Sequence, residues 1–132
     1  MRNPEGPPAD SRTADSRTAK GRAAEDTACR WLEARGWTVV ARNWRRGPGE
    51  LDAVARKGDE LAFVEVKCVD AFGPESLARA VGPCKRRRIV ETAKLFVSAH
   101  RELERMAMRF DVVAVVAGTV VGHLERAFAE RA

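Results

Sequence analysis

The chain has 132 residues, of which 45% are hydrophobic and 33% charged, a size and balance that fit one modest soluble core and leave no room for a second domain. Its formal net charge of +5 favours a polyanionic partner such as nucleic acid. No apolar run approaches a membrane span, the N-terminus lacks the apolar centre of a secretory signal, and Cys29, Cys68 and Cys84 have no metal or disulfide spacing, so a cytoplasmic protein with reduced thiols and no membrane contact is expected.

Residues 1–19 hold Pro4, Pro7 and Pro8 and a tandem DSRTA starting at Asp10, with almost nothing to bury, and are expected to form a disordered tail. A folded domain over residues 20–125 and a short polar tail over 126–132 complete the expected organisation. The spacing of Ala24, Ala28, Trp31, Leu32 and Arg35 predicts an amphipathic helix from Lys20 to Arg35 that stops at Gly36. Glu25 precedes Ala28, Cys29 and Leu32 by three, four and seven positions, so it borders the buried stripe. Two readings of it stay open: a partner for the helix dipole, or a carboxylate turned towards the sheet.

Trp37 to Asn43 reads as a strand, with Trp44, Arg45 and Arg46 in the Gly- and Pro-containing connection that follows. Trp44 is either packing or a stacking plane for a base, and the two arginines are either solubilising or phosphate contacts. From Gly49 to Val69 the chain predicts a β-hairpin turning at Gly58 and Asp59. In that register Lys57 pairs with Glu60, which sets Asp52 opposite Glu65 and Glu50 opposite Lys67. Alternation puts Glu50 and Asp52 on one face, and Phe63, Glu65 and Lys67 on one face of the return strand. Directly opposed carboxylates have Cβ atoms about 5 Å apart and would share a proton or a cation. A hard divalent ion such as Mg2+ answers that conflict, with Lys67 in reach of a bound water; an ion-pair cluster is the structural alternative. The pattern is expected at the sheet's edge.

A helical turn is predicted from Glu75 to Val81 and a longer helix from Pro83 to His100, with Ile89, Ala93, Phe96 and Val97 inward. Lys85, Arg86, Arg87 and Arg88 place four cations in its first turns, against the helix dipole, as a solvated face or a phosphate site. Arg109 to Ala117 predicts a central strand and Thr119 to Leu124 an edge strand. Asp111 is read either as support for the acidic site or as a partner of Arg109. His100 and His123 fall in no catalytic pattern.

The strings GELD (Gly49 to Asp52), FVEVK (Phe63 to Lys67) and RFDVVAV (Arg109 to Val115) resemble the YraN family of bacterial proteins, itself similar to the PD-(D/E)xK nuclease superfamily. The likeness runs from about Gly21 to Val116 and includes Gly21, Glu25 and Ala28 of a G-x-x-G-E-x-x-A pattern and Asn43, Trp44 and Arg45 of N-W-R. Ala24 stands where the family has its second Gly, Gly82 where it has Thr or Ser, and Val69 where it has Arg. The resemblance implies a restriction-endonuclease-like fold, an α/β three-layer sandwich with a central mixed sheet flanked by helices. It implies that Asp52, Glu65 and the Val66 carbonyl hold Mg2+ or Mn2+, with Glu25 completing the shell. Lys67 is then the catalytic lysine and Glu50 its orienting partner.

The expectation is therefore a metal-dependent nuclease acting on DNA or RNA, with Arg45, Arg46, Lys85 and Arg88 at the phosphates. The alternatives are a nucleic-acid-binding module of the same fold without catalysis, which Val69 favours, and a protein-interaction subunit with a basic surface.

Overall fold

The computed structural model describes residues 18–68 and 81–130. Expectations for the tail up to residue 17, for Val69 and for nearly all of the helical turn starting at Glu75 fall outside the described residues. Helix α1 spans Ala19–Ala34, where the Thr18 side chain accepts the Gly21 N–H at 2.9 Å as an N-cap. Gly36, with φ +93°, takes the left-handed conformation that ends the helix. Strands β1 (Thr38–Arg46), β2 (Gly49–Lys57) and β3 (Glu60–Cys68) follow, then helix α2 (Pro83–Ala99), a short 3-10 turn at Arg101–Leu103, and strands β4 (Ala107–Val116) and β5 (Thr119–Phe128).

The strands form one sheet in the order β1-β2-β3-β4-β5, antiparallel except for the parallel β3–β4 pair. Helix α1 covers one face: Ala24, Ala28, Cys29 and Leu32 pack on Ala53, Ala55, Ala62, Val64, Val113 and Val115. Helix α2 covers the other: Ile89, Val90, Ala93 and Phe96 pack on Leu51, Val54, Leu61, Phe63, Phe110 and Val112. The layers are thus helix, sheet, helix, as the alternating pattern implied. Phe96 is fully buried, with its ring edge-on to those of Trp44 and Phe63, so truncating it to Ala costs about 3–5 kcal/mol.

The hairpin register is the one expected, with Lys57 opposite Glu60 and Ala53 opposite Val64. Gly58 has φ +60° while Asp59 does not have a positive φ, the pattern of a type II′ turn. Three details differ from the sequence expectation. Strand β1 runs through Trp44, Arg45 and Arg46, because the reversal is made by Gly47 (φ +58°) and Pro48 alone. Strand β5 continues past Leu124 to Phe128, whose ring stacks on Phe110 at 5.1 Å, so the segment expected to begin a polar tail closes the core. Finally, β2 and β3 are interior strands, so the acidic pattern does not lie on an edge strand.

Candidate functional site

Beyond Ala53 and Val64 the pairing of β2 with β3 stops. The break centres on Asp52. Leu51 and Val54, three positions apart, both pack under α2, whereas Ala53 and Ala55 face α1, so strict alternation fails at this residue. Asn43, on the adjoining strand, adopts φ +54° and marks the same irregularity. The expected cross-strand pairs Asp52 with Glu65 and Glu50 with Lys67 are therefore not ladder pairs. Instead Asp52 Oδ2 accepts the Val66 N–H at 2.9 Å, a side chain standing in for the carbonyl that a continued ladder would supply.

The parted strands open a cavity of about 290 Å3 lined by Glu25, Glu50, Asp52, Glu65, Val66, Lys67 and Lys85, together with Thr18, Gly21, Ala24 and Cys68. Residues of both helix layers, Glu25 from α1 and Lys85 from α2, meet here. Glu25, buried on the inner side of α1, takes the inward of its two readings. Glu65 is buried too, and Lys85 Nζ lies 2.5 Å from its Oε2. Burial and the neighbouring Glu65 charge push the Asp52 carboxyl up to about 8, with smaller contributions from Glu25 and Glu50 and an opposing one from the Val66 N–H.

The other residues expected at the site divide. Lys67 is half-buried and lines the cavity. Glu50 also lines it, but the cation beside it is Arg45, its neighbour across β1 and β2, with Nε 3.4 Å from Oε2. Among the described residues that buried Glu50 oxygen has no hydrogen-bond partner. Arg45, Arg46 and Arg88 do not line the cavity. The Arg46 guanidinium sits 5.0 Å from the Trp44 ring centroid, and Trp44 packs on Phe96 and His100, the packing reading of that residue. Lys85, expected at a phosphate, is in ion-pair contact with Glu65, which the basic run in the sequence could not single out.

The oxygen-only donor set suits a hard cation, and Asp52, pushed up to about 8 by burial and by Glu65, shows carboxyl groups crowded together out of water. The residues fit such an ion chemically. Among the described residues, no three Asp, Glu, His or Cys side chains are drawn together tightly enough to hold it, and Lys85 takes one oxygen of Glu65.

A second polar cluster lies elsewhere in the sheet, around a cleft of about 720 Å3 lined by Trp31, Trp37, Arg109, His123 and neighbouring charges. Asp111, 1% exposed, accepts from Arg109 Nε and NH2 at 3.1 and 2.7 Å and from the Arg126 N–H at 3.1 Å, and lies 2.7 Å from His123 Nε2. Burial alone would raise its carboxyl, but these partners hold it below its ordinary value. Arg109 also reaches Glu60 and Glu125 at 3.0 and 2.8 Å. The cluster meets its own charges internally, and Asp111 takes the Arg109-partner reading. His123 is an unforeseen member, placed by β5 pairing with β4 at Val113.

The model of the Uncharacterised protein family UPF0102 matches residues 24–115. A UPF0102 protein of Treponema pallidum is 45% identical over 91 residues, 69% of this chain and 72% of its own length. One from Azorhizobium caulinodans is 42% identical over 104 residues, 79% of this chain and 78% of its own, and one from Gloeobacter violaceus is 47% identical over 85 residues, 64% and 68% respectively.

Proposed function

This chain belongs to the UPF0102 (YraN) family, and we propose that it is a metal-dependent nuclease hydrolysing phosphodiester bonds in DNA or RNA. The single observation that supports this reading most is the convergence of Glu25, Glu50, Asp52 and Glu65 on one cavity where β2 and β3 part. Burial and Glu65 push the Asp52 carboxyl up to about 8 there, whereas the partners of Asp111 hold its carboxyl below its ordinary value. The motif likeness to the PD-(D/E)xK superfamily, with an acid on one strand and E-x-K on the next, supports a restriction-endonuclease-like version of this α/β architecture.

Asp52, Glu65, the Val66 carbonyl and Glu25 would hold Mg2+ or Mn2+, which when bound supplies Lewis-acid stabilisation of charge developing on the phosphoryl oxygens. Lys67 Nζ would orient the attacking water by donating a hydrogen bond to its oxygen. Glu50, which lines the same cavity as Lys67, pairs with Arg45. Arg45, Arg46 and Arg88, outside the cavity, would contact flanking phosphates and set the register of the strand without reading its sequence.

The test is incubation of the purified chain with Mg2+ or Mn2+ and a panel of linear, flapped and branched DNA and RNA, beside Asp52→Ala and Lys67→Ala. Cleavage by wild type that both variants lose by a factor of about 100 or more supports the reading. An uncut panel, or variants as active as wild type, overturns it. Salt-dependent binding without cleavage would select the non-catalytic nucleic-acid-binding module, the reading that Val69 favours.

A further inference from the structure

Of the two lysines that line the cavity, Lys85 is the one paired with Glu65. Its ammonium lies 2.5 Å from Glu65 Oε2, and Glu65 is 9% exposed where Lys85 is 46% exposed. One partner is therefore fixed in the protein while the other is tethered from the surface. Lys85 sits in the first turn of α2, whose N-cap is Gly82 and has no side-chain hydrogen bond. The N-terminal turn of a helix is electropositive, which disfavours a lysine at this point. Arg86, Arg87 and Arg88 follow it directly, adding like charge. Glu65 is thus what draws Lys85 inward, and nothing in the helix favours its staying.

We infer that Lys85 is a displaceable counter-cation, which must leave Glu65 before a divalent ion can take that oxygen. This rests on the metal reading above and adds its regulation: the ion binds against an internal competitor. The competitor can swing away from Glu65, because its flexible four-carbon side chain lies half in solvent. Released, the ammonium is free to meet an anion approaching the cavity mouth.

Calorimetric titration of the full chain with Mg2+, at one fixed pH for all variants, tests this without recourse to cleavage. Wild type, Lys85→Gln, Lys85→Arg and Asp52→Asn are compared. The expected result is an affinity about tenfold higher for Lys85→Gln than for wild type, since removal of one cation at contact distance changes the site by about one pK-unit equivalent. Lys85→Arg, which keeps the charge, should match wild type, and Asp52→Asn should abolish the signal. Equal or weaker binding by Lys85→Gln, with wild type binding normally, overturns the competitor and leaves the metal reading standing. No Mg2+ binding by any of the four overturns both.

Discussion

Asp52 accepts the Val66 N–H at 2.9 Å at the point where β2 and β3 cease to pair. The same carboxyl is held up to about 8, from an ordinary 3.8, by burial and by Glu65. Between those values the folded chain keeps a proton that the unfolded chain has released. Stability from this group is complete below about 3.8 and is lost as pH rises through about 8. Asp52→Asn keeps an acceptor for Val66 but cannot ionise, so its urea-unfolding midpoint should not share this fall. Parallel pH profiles for wild type and variant would show that Asp52 titrates normally.

Asp111 carries the opposite sign. Its partners Arg109, His123 and the Arg126 N–H hold it below 3.8 although burial opposes them, so its stabilisation is present above 3.8 and is lost as pH falls through its depressed value. Asp111→Ala leaves the 6%-exposed Arg109 without its closest anion and should cost about 3–5 kcal/mol in denaturant unfolding. Asp111→Asn should cost less and flatten the acid limb of the profile. A loss below about 1 kcal/mol for the alanine variant would mean that Glu60 and Glu125 suffice.

Gly49 is fixed by α2. A Cβ built there would stand 1.8 Å from Thr92 Oγ1 and 3.0 Å from Thr92 Cβ, and Thr92 is buried with its hydroxyl bonded to the Arg88 carbonyl at 2.7 Å. Gly49→Ala should therefore lower stability by about 1–3 kcal/mol through forced separation of α2 from β2. Adding Thr92→Ala should recover part of the loss, and a double-mutant cycle reads the coupling directly. Strict additivity would place the cost elsewhere.

Arg46 is exposed at the end of β1, clear of the carboxylate cavity. If nucleic acid runs past the cavity mouth, Arg46→Ala should weaken binding by a similar factor on every sequence. It should also reduce the slope of log affinity against log salt by about 1. Fluorescence anisotropy over a salt series measures both, and an unchanged slope would remove Arg46 from the interface.

Much of this arrangement could be read from the residues. The Gly58-Asp59 turn and the apolar runs on either side determine the β2–β3 register, because a slip of one residue would turn side chains meant for one helix layer towards the other. The stripe of α1 likewise carries Glu25 inward with Ala28 and Leu32. What escaped was non-local. The split at Asp52 depends on Val66 finding a side chain in place of a carbonyl, and alternation alone cannot foresee a strand that changes phase. The choice of Lys85 from four consecutive cations depends on how α2 docks, and the Asp111 to His123 contact depends on the shifted pairing of β4 with β5.

The parallel pairing of β3 with β4 joins Glu60 to Ala107, whereas β2 and β3 meet across two residues. Asp52 and Glu65 are thus brought near one another by a short local closure, and Lys85 reaches them only when α2 docks on the sheet. Above about pH 8, where Asp52 ionises beside Glu65, salt that screens the two should therefore speed refolding, as stopped-flow measurements over an ionic-strength series would record.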